Sequence, residues 1–141
     1  MKTFILFSFI LMMIACQPNN ITPTAPVNNS AQPDLTDGTL LKQGMFTGIG
    51  GHTVSGTVTI YEKSSKKYIV FDPYSSQSGP DLKVYLSKNE QASEYIRIGP
   101  LMSTTGKQVY EVTTNVDLAV YPFVHIWCEK FSVEFARAPL K

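Results

Sequence analysis

The chain has 141 residues, 43% of them hydrophobic, with 12 basic and 11 acidic side chains. This near-neutral balance excludes the clustered lysines and arginines by which proteins bind nucleic acid, and it leaves no polybasic patch for an anionic membrane surface. The part after residue 40 holds roughly 100 residues, which is enough for one domain with a single hydrophobic core.

The first 15 residues have the pattern of an export signal. Lys2 is followed by a mostly apolar run that is too short to span a bilayer, which needs about 20 residues. The segment Met13-Ile14-Ala15-Cys16 resembles the bacterial lipobox, whose cysteine carries diacylglycerol and becomes the mature N-terminus. We therefore predict a signal peptide over 1–15, a lipidated Cys16 and anchoring in the lipid bilayer. The alternatives are a buried core helix and an ordinary cleaved signal with a free Cys16.

Residues 16–40 are predicted to comprise the lipidated cysteine and a disordered spacer. The segment contains four prolines and four asparagines, has no charge before Asp34 and shows no hydrophobic periodicity. A flexible coil of about 24 residues spans roughly 25–30 Å. Gln17 stands where an aspartate would favour retention at the inner membrane. We therefore expect an exported protein on the outer membrane, facing the periplasm or the cell surface.

Residues 41–141 are predicted to form an all-β domain, because apolar residues alternate with polar ones. In 52–60, for example, Val54, Val58 and Ile60 share one face. Turn residues separate such segments; Asp72-Pro73 is expected to close one strand, and 115–121 to form at most a helical turn. We predict a single antiparallel β-sandwich of about eight strands after the disordered tether, formed by 44–49, 52–60, 67–72, 82–86, 95–98, 108–112, 123–128 and 131–136.

Six blocks of the domain carry a resemblance to a known family. They are Gly44-Met45-Phe46, residues 52–58, residues 79–87, Gly99-Pro100-Leu101, residues 106–110 and residues 124–136. In this order and spacing they resemble the DM-thirteen domain, which is often labelled an electron-transfer domain. The resemblance implies an all-β domain of secreted and cell-surface proteins. It also implies that Cys128, which matches the characteristic cysteine of the family, acts in redox chemistry as a bare thiol or as a ligand to a group such as haem.

Cys128 is the leading candidate for a functional site. If Cys16 carries lipid, Cys128 has no partner in its own chain, in a compartment that oxidises thiols. Strand parity places Cys128 on an apolar face and His52 on a face toward the core or its rim. His125 lies on the opposite face from Cys128, and we expect it at the surface.

The sequence does not identify a cofactor, and a haem or a soft metal are the options. One cysteine and one histidine fall short of a zinc site, but Cys128 with His52 would suffice as the axial ligands of a haem. A soft metal such as copper would also accept a thiolate. The simpler interpretation of Cys128 is a small, buried and inert side chain.

These features predict a membrane-anchored extracytoplasmic domain that transfers electrons through a lone cysteine, with a redox or surface protein as its partner. Catalysis is the less favoured interpretation, because the sequence contains no phosphate loop, nucleotide fingerprint or GxSxG serine. The alternative function is a non-enzymatic cell-surface module that binds a protein or a glycan through its loops.

Overall fold

A computed structural model describes residues 20–141, so the predicted signal peptide and the lipidation site lie outside the described residues. The described chain contains one 3-10 helix, Asn29–Ala31, and nine strands. No helix within 20–141 is long and apolar enough to cross a membrane. The strands are β1 (Thr39–Met45), β2 (Thr47–Gly48), β3 (Val54–Lys63), β4 (Lys66–Ser76), β5 (Leu82–Ser87), β6 (Tyr95–Pro100), β7 (Gln108–Val112), β8 (Phe123–Cys128) and β9 (Val133–Pro139).

The strands form two antiparallel sheets around one core, which confirms the predicted all-β sandwich. The four-stranded sheet has the order β1-β3-β4-β7, and the five-stranded sheet has the order β2-β9-β8-β5-β6. Because side chains alternate along each strand, the apolar set of each sheet faces the other sheet and is removed from water. Fully buried members of this core include Val58, Ile60, Phe71, Leu86 and Ile126.

The segment 44–49, predicted as one strand, is divided between the two sheets. β1 pairs with β3, whereas β2 pairs with β9. Phe46, between β1 and β2, is buried, and its ring meets Phe71 edge-on with the centroids 4.9 Å apart. The backbone changes sheet at the residue whose ring enters the core, and alternation alone does not show such a change of partner.

The prediction that Asp72-Pro73 ends a strand is wrong, since β4 continues to Ser76. Proline has no N–H for the ladder, and here a bulge accommodates it: Asp72 and Pro73 together lie opposite a single residue of β3, between the pairs formed by Gly56 and Val58. Gly56 has φ +132°, and a Cβ atom there would lie 2.2 Å from the Pro73 carbonyl oxygen. The bulge and the glycine together let the strand pass the proline.

The predicted helical turn at 115–121 is a single hydrogen-bonded turn. The backbone N–H groups of Val120 and Tyr121 both donate to the Asp117 carbonyl oxygen, at 3.1 Å and 3.0 Å. The turn leads into β8 and contributes Val116 and Leu118 to the core.

The described part of the predicted spacer contains no strand before Thr39, but it lies along the domain. Thr22 is 5% exposed, and its N–H donates to the Gly79 carbonyl oxygen at 3.2 Å. The Pro23 carbonyl oxygen accepts a hydrogen bond from the Thr104 N–H at 3.0 Å. We call residues 20–35 the strap.

The strap then crosses the outer face of the four-stranded sheet. Gln32 donates from its side-chain amide to the Lys107 carbonyl oxygen at 3.1 Å. Leu35 packs against a small apolar cluster on that outer face, formed by Tyr68, Val70 and Val109. The strap therefore covers apolar surface that β4 and β7 would otherwise expose.

Candidate functional site

Cys128 is the last residue of β8 and has no exposed surface. It lies in the core between the sheets with Val124 and Ile126, as its strand face predicts. In the sheet it is paired with Leu82 of β5 and with Val133 of β9. Its sulfur is a free thiol. The thiol is therefore shielded from solvent, yet it lies immediately before the turn, residues 129–132, that joins β8 to β9.

His52 lies at the rim of the same core, as predicted. Its ring stacks on Phe135 with the centroids 3.8 Å apart and the planes at 13°. Its Nδ1 atom is 2.8 Å from the side-chain nitrogen of Gln77. Phe135 belongs to the core cluster that contains Cys128. Within residues 20–141, however, no hydrogen bond joins His52 to Cys128, so the two candidate residues do not form a pair.

The surroundings of Cys128 do not fit a haem or a metal ion. The described residues contain no group of three or more His, Cys, Asp or Glu side chains that could hold a metal. The Cys128 side chain is packed in the core with no exposed surface, so a planar macrocycle has no space beside the sulfur. One face of the His52 ring is covered by Phe135. Of the two forms that the resemblance implies for Cys128, these surroundings fit the bare thiol.

A second cluster lies on the outer face of the five-stranded sheet, beside the end of β8. Tyr85 of β5 faces away from the core, but it is only 2% exposed. Its ring stacks on Tyr95 with the centroids 4.2 Å apart, and it lies 6.2 Å from the Trp127 ring. Its hydroxyl donates to Glu129 Oε1 at 2.7 Å. Burial and this hydrogen bond raise the pKa of Tyr85 far above its ordinary value.

Arg97 of β6 completes this cluster. Its Nε atom is 2.8 Å from Glu129 Oε1, and its Nη2 atom is 3.3 Å from Oε2. The carboxylate of Glu129 is thus held by a guanidinium and by the Tyr85 phenol. These contacts hold Glu129, the residue that follows Cys128, to β5 and β6, on the side of β8 away from β9.

The prediction that His125 lies at the surface is wrong, because its side chain has no exposed surface. It does face outward from β8, but its Nε2 atom is 2.6 Å from Ser87 Oγ and its Nδ1 atom is 2.7 Å from Glu134 Oε1. Arg137 pairs with Glu134 and also reaches Glu90 in the loop between β5 and β6. Burial lowers the pKa of His125, although the hydrogen bond that Glu134 accepts from the imidazole opposes this shift.

The order Ser87, His125, Glu134 resembles the relay that activates a serine nucleophile. The surroundings argue for a structural role instead. Ser87 has no exposed surface, and its hydroxyl donates to the Asn89 carbonyl oxygen at 2.7 Å. A substrate therefore has no access to the oxygen that would attack it. We assign the three residues to holding the loop between β5 and β6 on the sheet.

Sequence reasoning missed this outer-face layer, which includes Tyr85, Ser87, Arg97, Glu129 and Glu134. The available signal was the alternation in 83–87, which places Lys83, Tyr85 and Ser87 on one face. The alternation does not show which strands are neighbours in the sheet. The hydrogen-bond partners of these side chains come from those neighbouring strands.

Comparison with known proteins supports the resemblance found in the sequence. A family model described as "Electron transfer DM13" matches residues 46–140, which is more than half of the chain and includes β2 to β9 with Cys128. No curated protein and no solved structure matches the chain. The chain therefore belongs to the Electron transfer DM13 family, whose description suggests an electron-transfer role for it.

Proposed function

We propose that this protein is an exported, membrane-anchored electron-transfer domain whose redox-active group is the Cys128 thiol. The electron-transfer role is supported by the family to which the chain belongs. The anchor is supported by the lipobox-like segment that ends at Cys16, with acyl chains held in a bacterial, outer-membrane bilayer. The observation that carries the redox role is that Cys128 is a free thiol inside the matched region.

Thiol–disulfide exchange is the chemistry that a lone thiol can perform without a cofactor. The Cys128 thiolate attacks one sulfur of a disulfide in an oxidised partner protein; the partner's S–S bond breaks and a mixed disulfide forms. The Cys128 sulfur is oxidised, and the departing partner sulfur is reduced and takes up the proton that Cys128 released. A second thiol, from another protein or from glutathione, then attacks the partner's sulfur in the mixed disulfide. The bond to Cys128 breaks, Cys128 leaves as a thiolate and takes up the proton that the attacking thiol released, and the partner's sulfur remains in a disulfide with that thiol.

The position of Cys128 gives this chemistry a route through local opening. The turn at 129–132 and its neighbour Val133 are largely exposed, with Val133 38% exposed. The pair formed by Cys128 and Val133 is the last one in the ladder between β8 and β9. Opening this pair exposes the thiol while the rest of the core stays packed, and such end-of-element openings need less free energy than global unfolding.

Oxidised glutathione tests the proposal on the full, acylated chain. We expect a mixed disulfide at Cys128, detected by mass spectrometry, that dithiothreitol reverses while the circular dichroism of the β-sandwich stays native. The control Cys128→Ser should form no adduct. An adduct that forms only in denaturant would contradict the redox role.

A non-enzymatic binding module is the second candidate function. The complete burial of Cys128 favours it, because a buried cysteine is often an inert core side chain. The exposed aromatic residues Tyr95 (49%) and Phe131 (63%) would then provide contact surface for a protein or a glycan. Absence of any native glutathione adduct would favour this candidate over electron transfer.

A further inference from the structure

The strap begins at the end of the sandwich where Cys128 lies. Thr22 Oγ1 accepts a hydrogen bond from the Leu82 N–H at 3.4 Å, and Leu82 is paired with Cys128. The Asp81 carbonyl oxygen accepts a hydrogen bond from the Glu129 N–H at 3.0 Å. The start of the strap, the start of β5 and the turn at 129–132 therefore adjoin one another. We call them the anchor end.

Docking of the strap shortens the reach of an anchor at Cys16. Thr22 is only six positions after Cys16, and a fully extended chain over six positions spans about 20 Å. The anchor end also includes the start of β3, because Ser76, which pairs with Val54, donates to Thr104, and Thr104 donates to Pro23.

The opposite end of the sandwich lies beyond this reach. β3 has ten residues and is about 30 Å long, so its last residue, Lys63, is about 30 Å from the anchor end. With the strap docked, an acylated Cys16 brings the anchor end to the bilayer and keeps the opposite end away from it.

The anchor end has side chains suited to a lipid headgroup layer. Ile21 and Phe131 are each 63% exposed. Lys130 belongs to the same turn as Phe131 and forms no ion pair with any residue in 20–141, and its Nζ atom lies 6.0 Å from the Phe131 ring centroid. Apolar and aromatic side chains insert at the membrane interface, and a nearby lysine is attracted by anionic headgroups.

We propose that the anchor end rests on the lipid bilayer, with Phe131 and Ile21 in the headgroup layer and Lys130 beside the lipid phosphates. This inference depends on the membrane attachment included in the proposed function. It places the opening that exposes Cys128 at the membrane surface, so the disulfide partner must itself act at that surface.

Trp127 is the only tryptophan of the chain and precedes Cys128, so its fluorescence reports on the anchor end. The test uses the full, acylated protein in vesicles of phosphatidylethanolamine and phosphatidylglycerol that contain a lipid with a nitroxide on its headgroup. We expect the nitroxide lipid to quench Trp127 in the unmodified chain. Phe131→Asp should lose most of this quenching. Val120→Asp should keep it, because Val120 is another exposed apolar residue (45%) and precedes β8 at the opposite end.

Flotation of the vesicles separates the two ways in which the inference fails. If the protein floats with the vesicles but Trp127 is not quenched, the orientation is wrong while the anchor stands. If the protein does not float, the anchor itself is wrong. Equal quenching in Phe131→Asp and in the unmodified chain overturns the role of Phe131, and none of these outcomes alters the glutathione test of Cys128.

Discussion

Tyr85 and His125 both face away from the core of the sandwich, yet both are buried. Burial of a polar group is unfavourable unless the group keeps its hydrogen bonds. Each of these side chains meets that need with a carboxylate: Glu129 for the phenol and Glu134 for the imidazole. Their contributions to the free energy of unfolding therefore depend on those partners.

Tyr85→Phe removes the phenol oxygen and leaves the ring stack in place. We expect a loss of about 1–3 kcal/mol in the free energy of unfolding, measured by urea denaturation, because a hydrogen bond to a charged group is lost. Tyr61→Phe is the matched control, since Tyr61 is only partly buried and its hydroxyl forms no hydrogen bond with residues in 20–141. Equal effects of the two substitutions would show that the contact with Glu129 contributes little.

His125 makes stability depend on pH. Burial lowers its pKa in the folded state below the ordinary value of 6.5, so between the folded and unfolded pKa values the unfolded chain binds more protons. The stabilising contribution is complete above about pH 6.5 and is lost as pH falls toward the folded pKa. Urea denaturation at several pH values should show this decline, and His125→Gln should flatten it. A decline of the same size in His125→Gln would assign it to the carboxylates instead.

At the scale of the strand, the passage of β4 past Pro73 depends on a residue without a side chain. Gly56 has φ +132°, a conformation that residues with a Cβ atom rarely adopt, and its Cα hydrogen faces the Pro73 carbonyl. The bulge accommodates Pro73 only because Gly56 has no side chain, so the three features depend on one another. The pairing of β3 with β4 that they maintain is the central one of the four-stranded sheet.

Gly56→Ala should destabilise the domain by more than about 2 kcal/mol, since it adds backbone strain to a contact of 2.2 Å with a backbone oxygen. Gly99→Ala is the control, because a Cβ atom at Gly99 meets nothing within 4 Å and its φ is not positive. The urea midpoints of the two variants provide the comparison. A midpoint for Gly56→Ala close to that of Gly99→Ala would mean that β3 and β4 shift to accept the Cβ atom without loss of stability.

At the scale of the whole molecule, local pattern predicts the elements and leaves their partners open. The alternation of apolar residues gave the two-sheet sandwich and placed Cys128 inside it, because parity depends only on neighbouring residues. It failed for His125, where a loop from another strand covers an outward-facing side chain. It also failed at Phe46, where one extended segment serves both sheets.

The course of the strap was equally hidden in the sequence. Its prolines and asparagines predict an irregular backbone. The described part of the strap is irregular except for the 3-10 helix Asn29–Ala31. Composition does not reveal that such a backbone docks, since its contacts are with residues distant in sequence. They include hydrogen bonds between Thr22 and Leu82 and between Ala25 and Ser103, about 60 to 80 positions apart, and the packing of Leu35 on the outer face of the four-stranded sheet. The proposed orientation of the domain on a membrane depends on that docking.

The most direct test of the central claim is the rate at which native Cys128 reacts with an aromatic disulfide reagent as urea is raised from zero. If Cys128 is a redox thiol exposed by local opening at the end of β8, the rate in dilute urea is nearly independent of urea and far exceeds the rate set by global unfolding. A rate that follows global unfolding at every urea concentration, with the same steep dependence, would show that the thiol is an inert part of the core and would contradict the account.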